Sequence, residues 1–100
     1  MEMDEERARN AAAVLRVRRV AAQGGDKWAW DTVEVLAVLK APEGPPLGKT
    51  LDVAHYSWEP GVPAGVCTVY LEPYAEEGER RWKLLGGSAK NGVSHVSPGP

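Results

Sequence analysis

The sequence predicts a small all-β domain, a barrel or sandwich of about five strands, and three observations carry that prediction. From Trp28 onward the chain is written in apolar, β-branched runs of strand length. Those runs are separated by short segments dense in Pro and Gly, which strands do not tolerate. No helix-length segment lies between the later strands, so a βαβ architecture is disfavoured. At 100 residues the chain makes one domain. Its 43% hydrophobic and 26% charged residues are those of an ordinary globular protein.

The first element is the exception. Asp4–Ala13 reads as helix: Asp4 is a capping residue, Glu5 and Glu6 suit the positive N-terminal end, and the alanines have the best propensity. Residues 1–12 are therefore expected to form a short helix or a flexible arm. Val14–Val20 is ambiguous. It continues as helix if Gly24-Gly25 closes it, or forms a strand in which Leu15 and Val17 alternate with Arg16 and Arg18. Thr32–Leu39 is a long strand with Val33, Val35, Ala37 and Leu39 on one face. Its other face turns apolar at Leu36 and Val38, as expected where a barrel covers both sides. Ala41–Gly48 is a loop, and Thr50–Trp58 resumes as strand. Glu59–Gly65 (EPGVPAG) is a second Pro/Gly turn, followed by a strand at Val66–Glu72. A polar tip at Ala75–Glu79 leads to a strand at Arg80–Leu85; Gly86-Gly87 ends it, and Gly92–Val96 is one more short strand. The barrel is expected over residues 13–96, with 97–100 as a tail.

Three stretches resemble the netrin-like, TIMP-like group of OB-fold domains: Asp31–Lys40, Gly65–Glu72, and Arg81–Ser88 with its paired glycines. The resemblance covers roughly Ala13–Val96 and implies a five-stranded OB-like Greek-key barrel. It also implies that Val14–Ala22 is the first barrel strand, since tertiary pairing routinely overrides local propensity, and leaves Asp4–Ala11 as a modest helix or a frayed end. Metalloprotease inhibitors of this group act through an N-terminal Cys. This chain begins Met-Glu-Met-Asp and has no Cys before Cys67, so that activity is not carried over.

The composition narrows the chemistry. A single Cys excludes an intramolecular disulfide and a multi-Cys zinc site. The net charge of −2 shows no broad basic stripe, which argues against nucleic acid as partner. The basic clusters are Arg16/Arg18/Arg19 and Arg80/Arg81/Lys83, the second offset by Glu76, Glu77 and Glu79. No apolar run approaches the roughly 20 residues of a membrane span. Residues 2–6 are acidic where a secretory signal is basic, so the protein is expected to be cytoplasmic or the mature part of an exported one.

His55 and His95 lack a local metal motif, and Asp52 lies on the opposite strand face from His55. Ser57 shares the face of His55, but no neighbouring acid completes a triad. Cys67 sits in an apolar strand as a buried thiol. No Gly-rich phosphate loop is present. Neither catalytic nor metal-binding residues are expected, and no cofactor.

The aromatic residues are the unusual feature: four Trp and three Tyr with no Phe. Trp28 and Trp30 share a face at the start of the long strand, and Tyr56 and Trp58 share one at the end of the next. A hairpin around Ala41–Gly48 would bring these pairs together at its open end. Such a cluster suits a barrel plug, a protein interface, or stacking on a ligand or bases. The reading that follows is a non-enzymatic binding module for a protein partner, monomeric or weakly dimeric. Its contacts would come from Trp28, Trp30, Tyr56, Trp58, His55, Arg80 and Arg81, with the two Pro-rich loops. The alternatives are a single-stranded nucleic-acid OB domain and a small metal-dependent hydrolase.

Overall fold

The computed structural model describes residues 3–76 and 79–97. In order, the chain forms helix α1 (Glu5–Asn10), strands β1 (Ala13–Gln23), β2 (Trp28–Lys40), β3 (Thr50–Tyr56), β4 (Val66–Glu76) and β5 (Glu79–Leu84). A 3-10 turn (Leu85–Gly87), helix α2 (Ala89–Gly92) and β6 (Val93–Ser97) complete it. Neighbouring strands run β1-β2-β3-β5-β4, and β4 pairs back to β1, so five strands close into an OB-like barrel. All pairings are antiparallel except the short β3–β5 contact at Val53↔Trp82 and Ala54↔Lys83. β6 lies outside this ring, along the Val66–Val69 half of β4. The Cα radius of gyration, 12.2 Å, is that of a single folded domain of this length.

Period-2 alternation fills the interior. Leu15 and Val17 from β1, Val33 from β2, Val53 from β3, Cys67, Val69 and Leu71 from β4, and Leu84 from β5 all have no exposed surface. The sequence leaves Glu59–Gly65 as a surface turn. In the fold, Val62 of that segment is fully buried and joins the same core. An aliphatic side chain buried so fully contributes about 1.5–3 kcal/mol, so the loop is anchored as well as connecting.

β1 settles the ambiguity at 14–22 as strand. It pairs with β2 along one edge and with β4 along the other, from Ala13↔Leu71 to Arg18↔Val66. Those ladders outweigh the helical preference of Ala and Arg. The helix, with Asp4 and Ala11 as its caps, fills the Asp4–Ala11 span expected of it, and beyond it the Ala12 N–H donates to the Leu71 carbonyl at 2.8 Å, drawing the chain into the sheet. Helix α1 is nevertheless docked. Ala8 and Ala11 pack with Val14 and Tyr70 in a second cluster, and the Lys40 ammonium donates to the Ala8 and Ala11 carbonyls at 2.8 and 2.7 Å.

The expectation that the barrel covers both faces of the long strand is corrected. Leu36 and Val38 are 42% and 50% exposed. The β1–β2 register slips between Val14/Leu15, Arg16/Val17 and Arg19/Ala21, which places Leu39, Leu36 and Val20 as unpaired residues. Each bulge bends the ribbon and interrupts the alternation, so the far end of β2 leaves the barrel wall. Ser97, expected in the tail, is the last residue of β6; the rest of that tail lies outside the described residues.

Candidate functional site

The β2–β3 hairpin runs in register from Glu34↔Thr50 near the Ala41–Gly48 loop to Trp28↔Tyr56 at its open end. Alternation then separates two sets of side chains. Trp28, Trp30, Ala54 and Tyr56 lie on the outer face, while Ala29, Asp31, Val53 and His55 lie on the inner face. The same register places the Ala41–Gly48 loop at the opposite end from the aromatics, so the two do not share one surface.

On the outer face the rings form a continuous stack. Trp58 lies on Tyr56 at 4.8 Å between centroids and 9° between planes. Tyr56 lies on Trp28 at 4.7 Å and 20°, and Trp28 on Tyr74 at 5.7 Å and 15°. Gly87, at φ +78°, permits this: a Cβ there would sit 2.6 Å from Tyr56 Cε2. The outermost ring, Trp58, is 67% exposed. Trp30 is half-buried beside Gly25 and takes no part in the stack among the described residues; its indole N–H has no acceptor there. Tyr74 is a member that the sequence pattern does not reveal. Its place follows from the length of β4, which runs to Glu76 and keeps Tyr74 on the same strand face as Tyr70 and Glu72.

His55 is not on that surface. It is 6% exposed on the inner face, with Nε2 3.2 Å from Asp31 Oδ2 and Nδ1 2.8 Å from the Tyr56 carbonyl. Asp31, 3% exposed, also accepts the Val62 N–H at 2.8 Å. The acid missing from the local sequence around His55 is thus supplied by the neighbouring strand, through the Asp31↔Val53 and Ala29↔His55 register. It does not make a triad with Ser57, whose hydroxyl donates to the Asp26 carbonyl at 2.6 Å. His95 sits half-buried on β6 at φ 53°, away from this pair in sequence and strand. Among the described residues no three His, Cys, Asp or Glu side chains gather as metal ligands.

The basic residues are largely committed to the fold. The Arg16 guanidinium donates to Thr68 Oγ1 at 3.0 Å, to the His95 carbonyl at 2.7 Å and to Ser97 Oγ at 3.1 Å. Arg18 pairs with Glu34 at 3.2 Å, Lys83 with Glu72 at 3.1 Å, and Arg19 donates to the Val62 carbonyl at 3.0 Å. Arg81 is exposed on β5 opposite Tyr74. The side chain of Arg80, and residues 77–78 of the tip, lie outside the described part of the structure.

Beside the aromatic end, a groove of about 410 Å³ separates the Glu59–Gly65 loop from α2 and β6. Pro60, Gly61 and Pro63 form one wall; Ala89, Lys90, Val93 and Val96 form the other.

Burial pushes the Cys67 thiol up from 9.0 to about 11, against a smaller opposing pull from Arg16. The folded thiol therefore keeps its proton where the unfolded one has lost it. Stability should fall as pH rises from about 9 to 11, by up to about 2–3 kcal/mol. Urea midpoints of the wild type and of Cys67→Val, compared at the two ends of that range, isolate the thiol from other alkaline titrations. Equal slopes for the two proteins would contradict the expectation.

No family model matches the chain, and no curated protein or solved structure matches it either.

Proposed function

We propose that this chain is a non-enzymatic binding module that engages a protein partner through the aromatic face at the open end of the β2–β3 hairpin. The observation that carries the reading is Trp58: a large apolar ring, mostly exposed, held flat on a stack that continues into the barrel wall. A ring already immobilised loses little conformational entropy when a partner covers it. Trp and Tyr are the residues that most often dominate the affinity of protein interfaces. Arg81 and the Pro60–Pro63 wall of the neighbouring loop supply a polar rim and an apolar margin. As a proposal about kinship, netrin-like membership rests on the strand motifs at Asp31–Lys40, Gly65–Glu72 and Arg81–Ser88.

The competing reading uses the same rings to stack bases on an OB-like barrel. It is weakened by Arg18 and Lys83, whose charges are paired with Glu34 and Glu72, and by Arg16, whose donors are taken up by Thr68, His95 and Ser97. The test has two arms. Labelled protein titrated with a mixed-sequence single-stranded oligonucleotide at low salt should show no shifts. Shifts at Trp28–Trp30 and Arg81–Lys83 that fade with salt would replace the protein reading with the nucleic-acid one. In cells, a photo-crosslinking residue at position 58 should give a discrete protein adduct that the same residue at exposed position 36 does not. For the partner so identified, Trp58→Ala should weaken binding by about 2 kcal/mol or more with little loss of stability. Unchanged affinity would sink the reading.

A further inference from the structure

The loop that carries Trp58 begins and ends on one buried pair, His55 and Asp31. At its start, the Tyr56 carbonyl faces His55 Nδ1 at 2.8 Å and also accepts the Glu59 N–H at 3.0 Å. At its inner end, the Val62 N–H donates to Asp31 Oδ2 at 2.8 Å, and that same oxygen is 3.2 Å from His55 Nε2. Gly61, at φ +68°, lets the backbone close directly over both groups: a Cβ there would lie 2.5 Å from Asp31 Oδ2 and 2.5 Å from His55 Nε2.

Both ring nitrogens thus face oxygen acceptors. A carbonyl oxygen only accepts, so the Nδ1 contact is a hydrogen bond only while Nδ1 carries a proton. The Nε2···Oδ2 contact needs a second proton between its two atoms, whichever of them holds it. With one proton fewer, a lone pair faces an oxygen at one end of the loop or the other, in a site closed to solvent where an unmet polar contact is costly.

We propose that the buried His55–Asp31 pair is a proton-linked latch on the Ser57–Val62 segment, so that loss of the shared proton loosens the loop and with it the Trp58 contact face. The functional meaning of the latch rests on the proposed binding role; its physics does not. Among the described residues the charges around it are few. β2 contributes Asp31 itself, and β1 contributes the Arg19 guanidinium, on the Val62 carbonyl at 3.0 Å. β4 contributes the Cys67 thiol of the same interior, and β5 contributes Trp82, which does not titrate. On β3, Asp52 points to the opposite face, where it accepts from the Thr32 hydroxyl at 2.6 Å. Glu59 belongs to the loop, and Lys90 lies across the groove from it. The latch is closed when the proton is bound and opens as pH rises.

The test is a pH titration of isotope-labelled protein across the range in which it stays folded, with no partner present. It follows the His55 ring nitrogens, the Glu59 and Val62 amides and the Trp58 indole N–H. All should move with one midpoint, and the Val62 amide, corrected for intrinsic exchange, should lose about tenfold or more of its protection. His55→Gln, which does not titrate, should abolish the loop response. Should that variant fail to fold, Asp31→Asn should shift ring and loop midpoints together. The proposal is overturned if the ring titrates while the loop amides stay still, or if the loop responds equally in His55→Gln. It also fails if the ring moves alone in Asp31→Asn, or if it holds one protonation state until the protein unfolds. A working latch combined with unchanged partner affinity in Trp58→Ala would remove the binding role and leave the latch standing.

Discussion

Asp31→Ala is expected to destabilise the domain by about 2–5 kcal/mol, because it leaves two buried hydrogen-bonding groups without their partner at about 1–3 kcal/mol each. The carboxylate is 3% exposed, and its Oδ2 serves both the Val62 N–H and His55 Nε2. Removing it strands two polar groups, one of them at the anchor of the loop that fills the core with Val62. Asp31→Asn should cost less, because one amide oxygen can still accept from one of the two. Urea unfolding of both variants, with a double-mutant cycle through His55→Ala, gives the measurement. The two single losses should not add, since they break one shared network. A loss below about 1 kcal/mol, the size of an exposed pair, would mean that the buried pair does not hold the loop.

Gly61→Ala is expected to cost about 2–4 kcal/mol, from two sources that act together. The residue sits at φ +68°, where a side chain is strained, and its Cβ would press within 2.5 Å of Asp31 Oδ2 and His55 Nε2. Both obstacles are themselves pinned by hydrogen bonds, so neither yields cheaply. Gly24→Ala is the control: nothing lies within 4 Å of the added methyl, and its effect should stay within about 1 kcal/mol of zero. Thermal or urea unfolding of the two variants should separate them clearly. A domain of this size has only about 5–15 kcal/mol in total, so the Gly61 variant should lose a visible share of it. Equal behaviour of Gly61→Ala and Gly24→Ala would show that the loop does not close tightly over the pair.

Much of the barrel is legible residue by residue in the sequence. Val33, Val53, Val69 and Leu71 follow from strict alternation, and the Pro/Gly content of Ala41–Gly48 and Glu59–Gly65 places the breaks. The meeting of Trp28 and Tyr56 follows from the same periodicity once a hairpin is assumed, whereas the strand expected to reach Trp58 ends at Tyr56, and Trp58 joins the stack from the turn that follows. His55 goes the other way. Its proximity to Trp58 in sequence suggests a shared surface, whereas the pleat sends it to the interior beside Ala29 and Asp31. Tyr74 is hidden for a different reason. The local pattern ends its strand at Glu72, and only the pairing of β4 with β5 extends it to Glu76.

The sequence by itself determined the fold class, the strand-forming segments from Trp28 onward and which side chains within each of those strands share a face. Those properties depend on backbone geometry over a few residues, which the local pattern of apolar, polar, Pro and Gly residues encodes. Tertiary structure alone decided that Val14–Ala22 is strand, that Val62 turns inward, that Leu36 and Val38 are left outside, and that Asp31 meets His55. Each of these depends on the register between strands and on closure of the barrel, which bring the Val62 N–H onto a carboxylate 31 positions away. Cross-strand register is set by the sum of many contacts, so no single stretch of sequence contains it.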